Sequence, residues 1–192
     1  MPRLRLAALA ATLLSLALAA TAAADGAWLD ARPPAQWNTP RMALPSAPPL
    51  DPNTNPQCVE NARHPDTDED EELVKAGWLL VGSYVGGWDT LVVRAASGFD
   101  GMCRPLGYNY FVFVDGLFAG TVSPVLMDSR TDGSATTVEI QSEGDIAVMF
   151  SRYAESDPLC CPSRTSLAQY AVDRRTGQPV LMLTNVFTQS TE

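Results

Sequence analysis

From residue 77 onwards, hydrophobic and polar residues alternate in short runs that are separated by turn-forming residues. Alternation with a period of two predicts β-strands, because successive side chains of a strand point to opposite faces of the sheet. The connections between the runs are too short for the crossovers that parallel strands require, so the pairing should be antiparallel. The predicted strands cover residues 78–85, 89–96, 108–115, 117–123, 136–142, 145–153, 166–173 and 179–187.

Three of these runs predict more than a strand. The dipeptide Asp115-Gly116 joins strands 108–115 and 117–123, and it favours a type I′ hairpin turn, in which both central residues need a positive φ. In residues 136–142 the hydrophobic side chains share one face and the polar side chains the other, which predicts one solvent-exposed face. Residues 108–115 are hydrophobic on both faces, so this strand should be central and covered on both sides.

The segment 64–78 carries a cluster of acidic residues that allows two interpretations. Its alternating aspartates are similar to the start of a calcium-binding loop: Asp66, Asp68 and Asp70. However, position six of such a loop would be Glu71 rather than glycine, and position twelve would be Gly77 rather than glutamate. Acidic residues also favour the N-terminus of a helix through its dipole, and Gly77 is suited to end that helix. We therefore predict one short helix here.

Residues 25–57 predict an extended arm. Eight of the fifteen prolines lie between Pro33 and Pro56, and proline disfavours helix and central strand because it fixes φ and lacks a backbone donor. A solvated linker would fit this composition, but a free linker rarely contains residues such as Trp28 and Trp37. The arm is therefore expected to lie along the body of the protein with Trp37 docked.

Together these patterns predict a mainly β (α+β) fold. The predicted architecture is a single antiparallel β domain of about eight strands over residues 58–192, with one short N-terminal helix and the Pro-rich arm over residues 25–57. A sandwich, a barrel and a helix-backed sheet are all compatible with the pattern.

The N-terminal segment predicts export. Residues 1–24 combine a basic start, an uncharged hydrophobic run and an A-x-A site, which is the pattern of a signal peptide cleaved before Asp25. An uncleaved membrane anchor is the alternative interpretation. A lipoprotein signal needs a cysteine directly after the hydrophobic run, whereas the first cysteine is Cys58. The expected product is a periplasmic or secreted protein without a lipid anchor.

The charge of the chain limits its possible partners. Without residues 1–24, the chain keeps 11 of its 13 basic residues and all 22 acidic ones, which is a net charge of −11 with His64 neutral. Nucleic acids and anionic membrane surfaces attract cationic faces, so neither is expected as a partner. No stable membrane insertion is expected after signal cleavage. The expected partner is an unidentified component of the envelope or the exterior, and the oligomeric state is left open.

Four cysteines in an exported chain most often form two structural disulfides. The residues concerned are Cys58, Cys103, Cys160 and Cys161. A bond between neighbouring residues would hold their Cα atoms at about 3.8 Å, below the usual span of roughly 4.4–6.8 Å. Cys160 and Cys161 are therefore each predicted to pair with a distant cysteine, and both distant pairings fit.

The sequence contains no motif of a cofactor site or a catalytic site. The single histidine, His64, lies in an acidic, Pro-flanked segment without a recognisable nucleophile motif. The cysteine spacing lacks the patterns of zinc and redox sites, and there is no phosphate-binding glycine motif. No catalytic residue, metal site or cofactor is therefore predicted. Acidic residues are plentiful, so an envelope-polymer hydrolase that uses an Asp/Glu carboxylate pair is the alternative function.

The most polar run, MDSRTDGS at residues 127–134, is a possible recognition loop. Arg130 lies there between Asp128 and Asp132. A solvated turn between two strands is the simpler interpretation of the same composition.

Three stretches resemble the LppP/LprE family of exported bacterial (lipo)proteins. They are FVFVDGLFAGTVSP, SRTDG and RYAESDPLCCPS, and the similarity extends over roughly residues 55–187. The run from Asp157 to Ser163, which contains Cys-Cys-Pro-Ser, is the most specific of them. The resemblance implies an exported, envelope-associated protein and implies no catalytic residue. The predicted function is therefore a non-catalytic binding or interaction module outside the cytoplasm.

Overall fold

The computed structural model describes residues 26–191. The predicted signal peptide, residues 1–24, and the predicted mature N-terminus at Asp25 lie outside the described residues. Over the described range the chain forms a 3-10 turn at Ala27–Asp30, two α-helices, α1 (Pro56–Glu60) and α2 (Asp68–Lys75), and eleven strands. The strands are β1 (Leu79–Leu80), β2 (Val85–Gly87), β3 (Thr90–Ala96), β4 (Gly98–Phe99), β5 (Pro105–Leu106), β6 (Asn109–Val114), β7 (Leu117–Thr121), β8 (Ser134–Ser142), β9 (Asp145–Arg152), β10 (Arg164–Asp173) and β11 (Val180–Ser190).

The prediction of a mostly β fold with antiparallel pairing is confirmed, but its strand and helix counts are wrong. The described chain has eleven strands in three sheets rather than about eight in one domain, and two α-helices rather than one. The predicted strand 78–85 is divided into β1 and β2, because the chain turns at Gly82, whose φ is 65°. The other additional strands, β4 and β5, have two residues each, too few to produce an alternating pattern.

The two larger sheets pack face to face as a sandwich. The first sheet has the order β1-β3-β6-β7, with β2 also paired to β3, and the second has the order β11-β10-β9-β8. Hydrophobic side chains from both sheets form the core between them, including Val92, Val112, Val148, Phe150 and Leu181. The small β4–β5 sheet lies apart from these two. Of the arrangements compatible with the sequence, the structure is therefore a sandwich, and a helix covers its first sheet.

Strand β6 is central, and both of its faces are covered. All six of its residues are buried, and it lies between β3 and β7. Phe111 and Phe113 pack against Leu73 of α2, while Val112 belongs to the core between the sheets. The prediction from the hydrophobic pattern is confirmed. The turn that follows has φ values of 50° at Asp115 and 74° at Gly116, as a type I′ turn requires.

Helix α2 begins and ends where the acidic segment predicts. The side chain of Thr67 accepts a hydrogen bond from the backbone N–H of Asp70 and caps the N-terminus, and Gly77 follows the helix with a φ of 92°. Asp70 is fully buried and receives a bidentate pair of hydrogen bonds from Arg63, one of them 2.7 Å long. The aspartate thus anchors the helix that covers the first sheet.

The arm runs along one side of the sandwich and hydrogen-bonds its edge strands. The side-chain amide of Gln36 pairs with the backbone of Leu183 in β11, donating to its carbonyl oxygen at 2.6 Å and accepting from its N–H at 3.2 Å. The Asn38 Nδ2 group donates to the carbonyl oxygens of Thr121 and Leu181, both at 3.0 Å. Asn38 therefore joins an edge strand of one sheet to an edge strand of the other.

Trp37 is docked against the body of the protein, as expected. Its indole N–H donates to the carbonyl oxygen of Thr121 at 3.0 Å. Its ring meets the ring of Trp28 edge to face, with centroids 5.1 Å apart, and Trp28 in turn packs against Phe150. The large aromatic residues of the arm thus extend the core between the sheets.

All four cysteines form disulfides, but the predicted distant pairing of Cys160 and Cys161 is wrong. Cys58 in α1 pairs with Cys103, and the two Cα atoms are 5.1 Å apart. Cys160 pairs with its neighbour Cys161 at a Cα separation of 3.8 Å. Helix α1 packs beside β4, and the turn between β4 and β5 brings Cys103 to Cys58. The two remaining cysteines, exposed together in the β9–β10 connection, have only each other as partner.

Candidate interaction surface

The outward face of the β8–β11 sheet is the one large sheet face, among the described residues, that no other layer covers. The first sheet packs against the second on one side and against α2 and the arm on the other. The second sheet has core contacts on its inner face only. Four strands spaced about 4.8 Å apart present this outward surface, which we call the open sheet face. Its central residues are Thr137, Glu139, Gln141, Ala147, Met149, Leu167, Gln169, Asn185 and Phe187.

A row of hydrophobic side chains crosses the open sheet face from strand to strand. Met149 in β9 lies directly opposite Leu167 in β10, and Leu167 lies opposite Phe187 in β11. Phe187 is 60% exposed, and the other two are partly exposed. The neighbouring row is mainly polar and runs from Glu139 through Ala147 and Gln169 to Asn185. A hydrophobic row with a polar margin is the composition expected at a binding surface.

The open sheet face also contains a shallow depression. Its volume is about 370 Å³, and its lining consists of Thr137, Glu139, Gln141, Ala147, Met149 and Leu167. Glu139 is the single charged residue in this lining. The depression therefore offers hydrophobic contact and neutral hydrogen-bonding groups in a part of the chain that is otherwise rich in charge.

A β-bulge in β11 places Phe187 on the open sheet face. Leu181 and Leu183 face the core, so strict alternation would also turn residue 187 inward. The register with β10 shifts between Gln169 and Tyr170, which leaves one extra residue in β11 and brings Val186 into the core instead. A bulge reverses the alternation of all residues beyond it. Phe187 is consequently a surface residue that the sequence pattern alone assigns to the interior.

Sequence reasoning missed the residues of the hydrophobic row, although a signal for two of them is present. Met149 and Leu167 stand at positions of β9 and β10 where the neighbouring outward residues are polar, such as Gln169 and Thr165. A large hydrophobic residue on an otherwise polar face indicates that the face either packs under another part of the protein or binds a partner. Phe187 gave no comparable signal because of the bulge.

The residues of the predicted recognition loop do not meet at one point. Asp128 accepts a hydrogen bond from the backbone N–H of Gly107 at 2.7 Å. Asp132 accepts from the Arg152 Nε–H at 3.0 Å and from the backbone N–H of Tyr153 at 2.8 Å. Both aspartates therefore hold the loop to the body of the protein. Arg130 is exposed between them, with a φ of 67°.

Asp132 belongs to an ion-pair network that fastens the start of the described chain to the second sheet. The buried guanidinium of Arg152 also donates to both carboxylate oxygens of Asp30, at 3.1 and 2.7 Å, and to the Ser166 hydroxyl. The hydrogen bond from Arg152 lowers the pKa of Asp30 below its usual value. Arg152 thus joins three segments of the chain, and the charged groups of Arg152, Asp30 and Asp132 are all engaged with one another.

Asp100 and Asp157 do not have the pKa shift that a hydrolytic acid needs. Hydrogen bonds from the backbone amides of Ala154 and Ser163 lower the pKa of Asp157. Desolvation raises the pKa of Asp100, but hydrogen bonds from Arg104 and Met102 outweigh it and leave this pKa below its usual value. A general acid requires the opposite shift. His64 is exposed. These residues give the hydrolase alternative no support.

The fold and this surface define the class of the protein: a mainly β, antiparallel sandwich with a helix on one side and an open sheet face on the other. Residues 89–175 match the LppP/LprE lipoprotein family. The resemblance predicted from the sequence is therefore confirmed over these residues. The match runs from the start of β3 to the end of β10 and supports an envelope-associated protein without specifying its role.

The other comparisons add no relative. Comparisons with curated proteins and with solved structures gave no match. None of the helices within residues 26–191 has the length and hydrophobicity needed to span a bilayer.

Proposed function

We propose that this protein is a non-catalytic interaction module that acts outside the cytoplasm and binds another protein of the cell envelope through its open sheet face. The observation that supports the proposal is the hydrophobic row Met149–Leu167–Phe187 on a sheet face without a covering layer. A sheet face normally packs its hydrophobic residues against a second layer. The partner would supply that layer.

The composition of the open sheet face favours a protein partner over a charged polymer. Depletion of charged residues, together with exposed aromatic and methionine side chains, is typical of the central part of a protein–protein interface. Phe187 and Met149 supply such side chains, and Glu139 is the only charge in the depression beside them. The net charge of −11 expected after removal of residues 1–24 disfavours polyanionic partners.

Site-specific photo-crosslinking in the producing cell tests this proposal. A photo-reactive phenylalanine analogue replaces Phe187, and in a matched control it replaces Met102, which is 72% exposed in the turn between β4 and β5. We expect one discrete protein adduct from position 187 and none from position 102. The purified adduct partner should then bind the unmodified protein and should lose at least about tenfold in affinity for Leu167→Glu, because a charge in the centre of an interface must be desolvated without a partner.

Three results would contradict the proposal. The first is an equal adduct pattern at positions 187 and 102, and the second is unchanged affinity of the purified partner for Leu167→Glu. The third is crosslinking from position 187 to glycan alone, which would assign the open sheet face to a polysaccharide instead.

We also propose that the exported form begins at Asp25 and carries no lipid. The support is the A-x-A site at the end of the uncharged run and the absence of a cysteine directly after it. The first cysteine, Cys58, is held in a disulfide with Cys103. Intact mass of the protein recovered from the producing cell tests this form. A retained segment 1–24 or an added diacylglyceryl group would overturn it.

A further inference from the structure

A second depression lies at the side of the sandwich, between β3 of the first sheet and β8 of the second. Its volume is about 290 Å³. Its lining contains two arginines and several hydroxyl groups, and no carboxylate: Arg94, Pro105, Tyr108, Ser129, Arg130, Ser134, Ala135, Thr136, Ser151 and Tyr153. This composition is unusual in a chain with 22 acidic and 13 basic residues.

Arg94 is the central feature of this depression. Its neighbours in β3, Val93 and Ala95, face α2, so Arg94 points to the side of the sheet that faces β8–β11. The guanidinium lies over the ring of Tyr110, with Cζ 5.8 Å from the ring centroid, and Nε donates a long hydrogen bond of 3.4 Å to the Val81 carbonyl oxygen. A partly buried cation normally has an anionic partner.

Neither arginine of the depression is paired with a carboxylate. Within the described chain the ion pairs engage Arg63, Lys75, Arg104, Arg152, Arg174 and Arg175. The aspartates on either side of Arg130, Asp128 and Asp132, are bound to the Gly107 amide and to Arg152. Arg94 and Arg130 therefore both have unused hydrogen-bond donors.

Two serine hydroxyls complete a set of donors around the depression. Ser134 of β8 and Ser151 of β9 lie directly opposite each other in the strand pairing, and both line the depression. Two guanidinium groups and two hydroxyls supply more donors than the two oxygens of a carboxylate can use. They match the larger number of acceptor oxygens of a phosphate group, which arginine binds in a bidentate manner.

We infer that this depression is a binding site for a phosphate group, with Arg94 at its inner wall and Arg130 at its rim. The site is separate from the open sheet face, so the inference goes beyond the proposed interaction with a protein. The phosphate group belongs either to inorganic phosphate or to a phosphate ester of an envelope molecule.

Titration of the isotope-labelled exported protein by NMR tests the site. The probes are sodium phosphate, glycerol 1-phosphate and sodium acetate, each at the same ionic strength. We expect saturable shifts of the Ser134 and Ser151 amides and of the Arg94 Nε–H with a dissociation constant of about 1 mM or tighter for at least one phosphate compound. Tighter binding of either compound supports the site and identifies the source of the phosphate group.

A matched pair of variants makes the titration decisive. Arg130→Gln removes the exposed arginine at the rim and should weaken binding about tenfold or more. Arg41→Gln is the control, because Arg41 is also exposed and without an ion pair in the described chain, and has a similar φ of 61°. Arg41→Gln should leave the affinity within about twofold.

The inference is overturned by any of three outcomes. They are the absence of saturable shifts with both phosphate compounds, an equal loss of affinity in Arg130→Gln and Arg41→Gln, and binding of acetate as tight as that of phosphate. Arg130 is a surface residue, so its replacement tests the site without disturbing the core around Arg94.

Discussion

The two large sheets differ in what covers them. The first sheet is buried on both faces, with β6 completely enclosed and α2 packed on the outer side. The second sheet is buried on one face and carries a hydrophobic row on the other. The hydrophobic residues of the two sheets therefore differ in exposure. Those of the first sheet are enclosed by other layers, whereas the row on the outside of the second has no cover within the described residues.

Two supporting interactions lie around the first sheet, whereas the Arg152 network holds the inner side of the second. The first sheet and its cover contain the buried Arg63–Asp70 pair, and the Cys58–Cys103 disulfide joins distant parts of the chain at α1 and the β4–β5 turn. On the β8–β11 sheet, the Cys160–Cys161 disulfide joins only neighbours. Stability should therefore depend strongly on changes around the first sheet and weakly on changes at the open sheet face.

The largest expected difference comes from one substitution made in both regions. Phe113→Ala removes a completely buried ring between β6 and α2 and should lower the free energy of unfolding by about 4 kcal/mol, because it leaves a cavity. Phe187→Ala on the open sheet face should cost less than about 1 kcal/mol, because the side chain is 60% exposed. Urea unfolding of both variants measures the difference. Equal losses of unfolding free energy in the two variants would contradict the expected difference between the first sheet and the open sheet face.

The two disulfides should differ almost as much in their contribution to the free energy of unfolding. Replacing Cys58 and Cys103 together by serine should cost about 4 kcal/mol, since their bond closes a loop with a sequence separation of 45 and restricts the unfolded chain. Replacing Cys160 and Cys161 together should cost less than about 1 kcal/mol, because no loop is opened. Thermal unfolding of both double variants checks this, and non-reducing peptide mapping checks the pairing. A peptide that links Cys58 to Cys160 or Cys161 would contradict the structure.

Replacing Asp70 tests the contribution of its ion pair with Arg63 to stability. Asp70→Asn should cost about 3 kcal/mol, because it removes the buried partner of Arg63 and leaves only the exposed carboxylate of Asp66, 3.6 Å away. Glu71→Gln is the control in the same helix, since the exposed Glu71–Lys75 pair contributes about 0.5 kcal/mol or less. Urea unfolding at neutral pH measures both losses.

The same pair predicts part of the acid sensitivity of the fold. Desolvation raises the pKa of Asp70, but the hydrogen bonds and charge of Arg63 and the backbone amides of Asp66 and Thr67 outweigh it, so the pKa lies below its usual value. The resulting stabilisation is present above the unfolded pKa of about 3.9 and is lost as the pH falls through the lower folded pKa. Asp70→Asn should therefore show a shallower loss of stability with falling pH. A slope as steep as that of the unmodified protein would exclude this contribution.

Replacing Asn38 tests the connection between the sheets and should cause a smaller loss of stability than replacing Phe113, Asp70 or the Cys58–Cys103 pair. Asn38→Ala should cost about 2 kcal/mol, because backbone groups of Thr121 and Leu181 lose buried hydrogen-bond partners. Asn185→Ala on the open sheet face is the control and should cost less than about 0.5 kcal/mol. Chemical unfolding of the two variants measures both losses in the free energy of unfolding. A loss at Asn38 no larger than that at Asn185 would show that the arm does not support the sandwich.

The strand positions were largely predictable because alternation is a local property. Seven of the eight predicted strands correspond to observed strands within a few residues, and the eighth is interrupted at Gly82. The helix at α2 and the turn at Asp115-Gly116 were predictable for the same reason: dipole, capping and positive φ depend on residues close in the chain. The candidate surface was not predictable, since the aromatic residue of its hydrophobic row, Phe187, faces outward only because of a bulge.

The sequence by itself determined the class of the fold, the antiparallel pairing, the enclosed strand β6 and the resemblance to LppP/LprE proteins, because each of these is encoded within short stretches of residues. Only the tertiary structure decided which cysteines pair, which sheet face stays uncovered, and that Arg94 and Arg130 line one depression. These features depend on how α1, α2 and the arm pack against the sheets. That packing brings together residues that are distant in the chain, and their proximity has no signature in the local pattern.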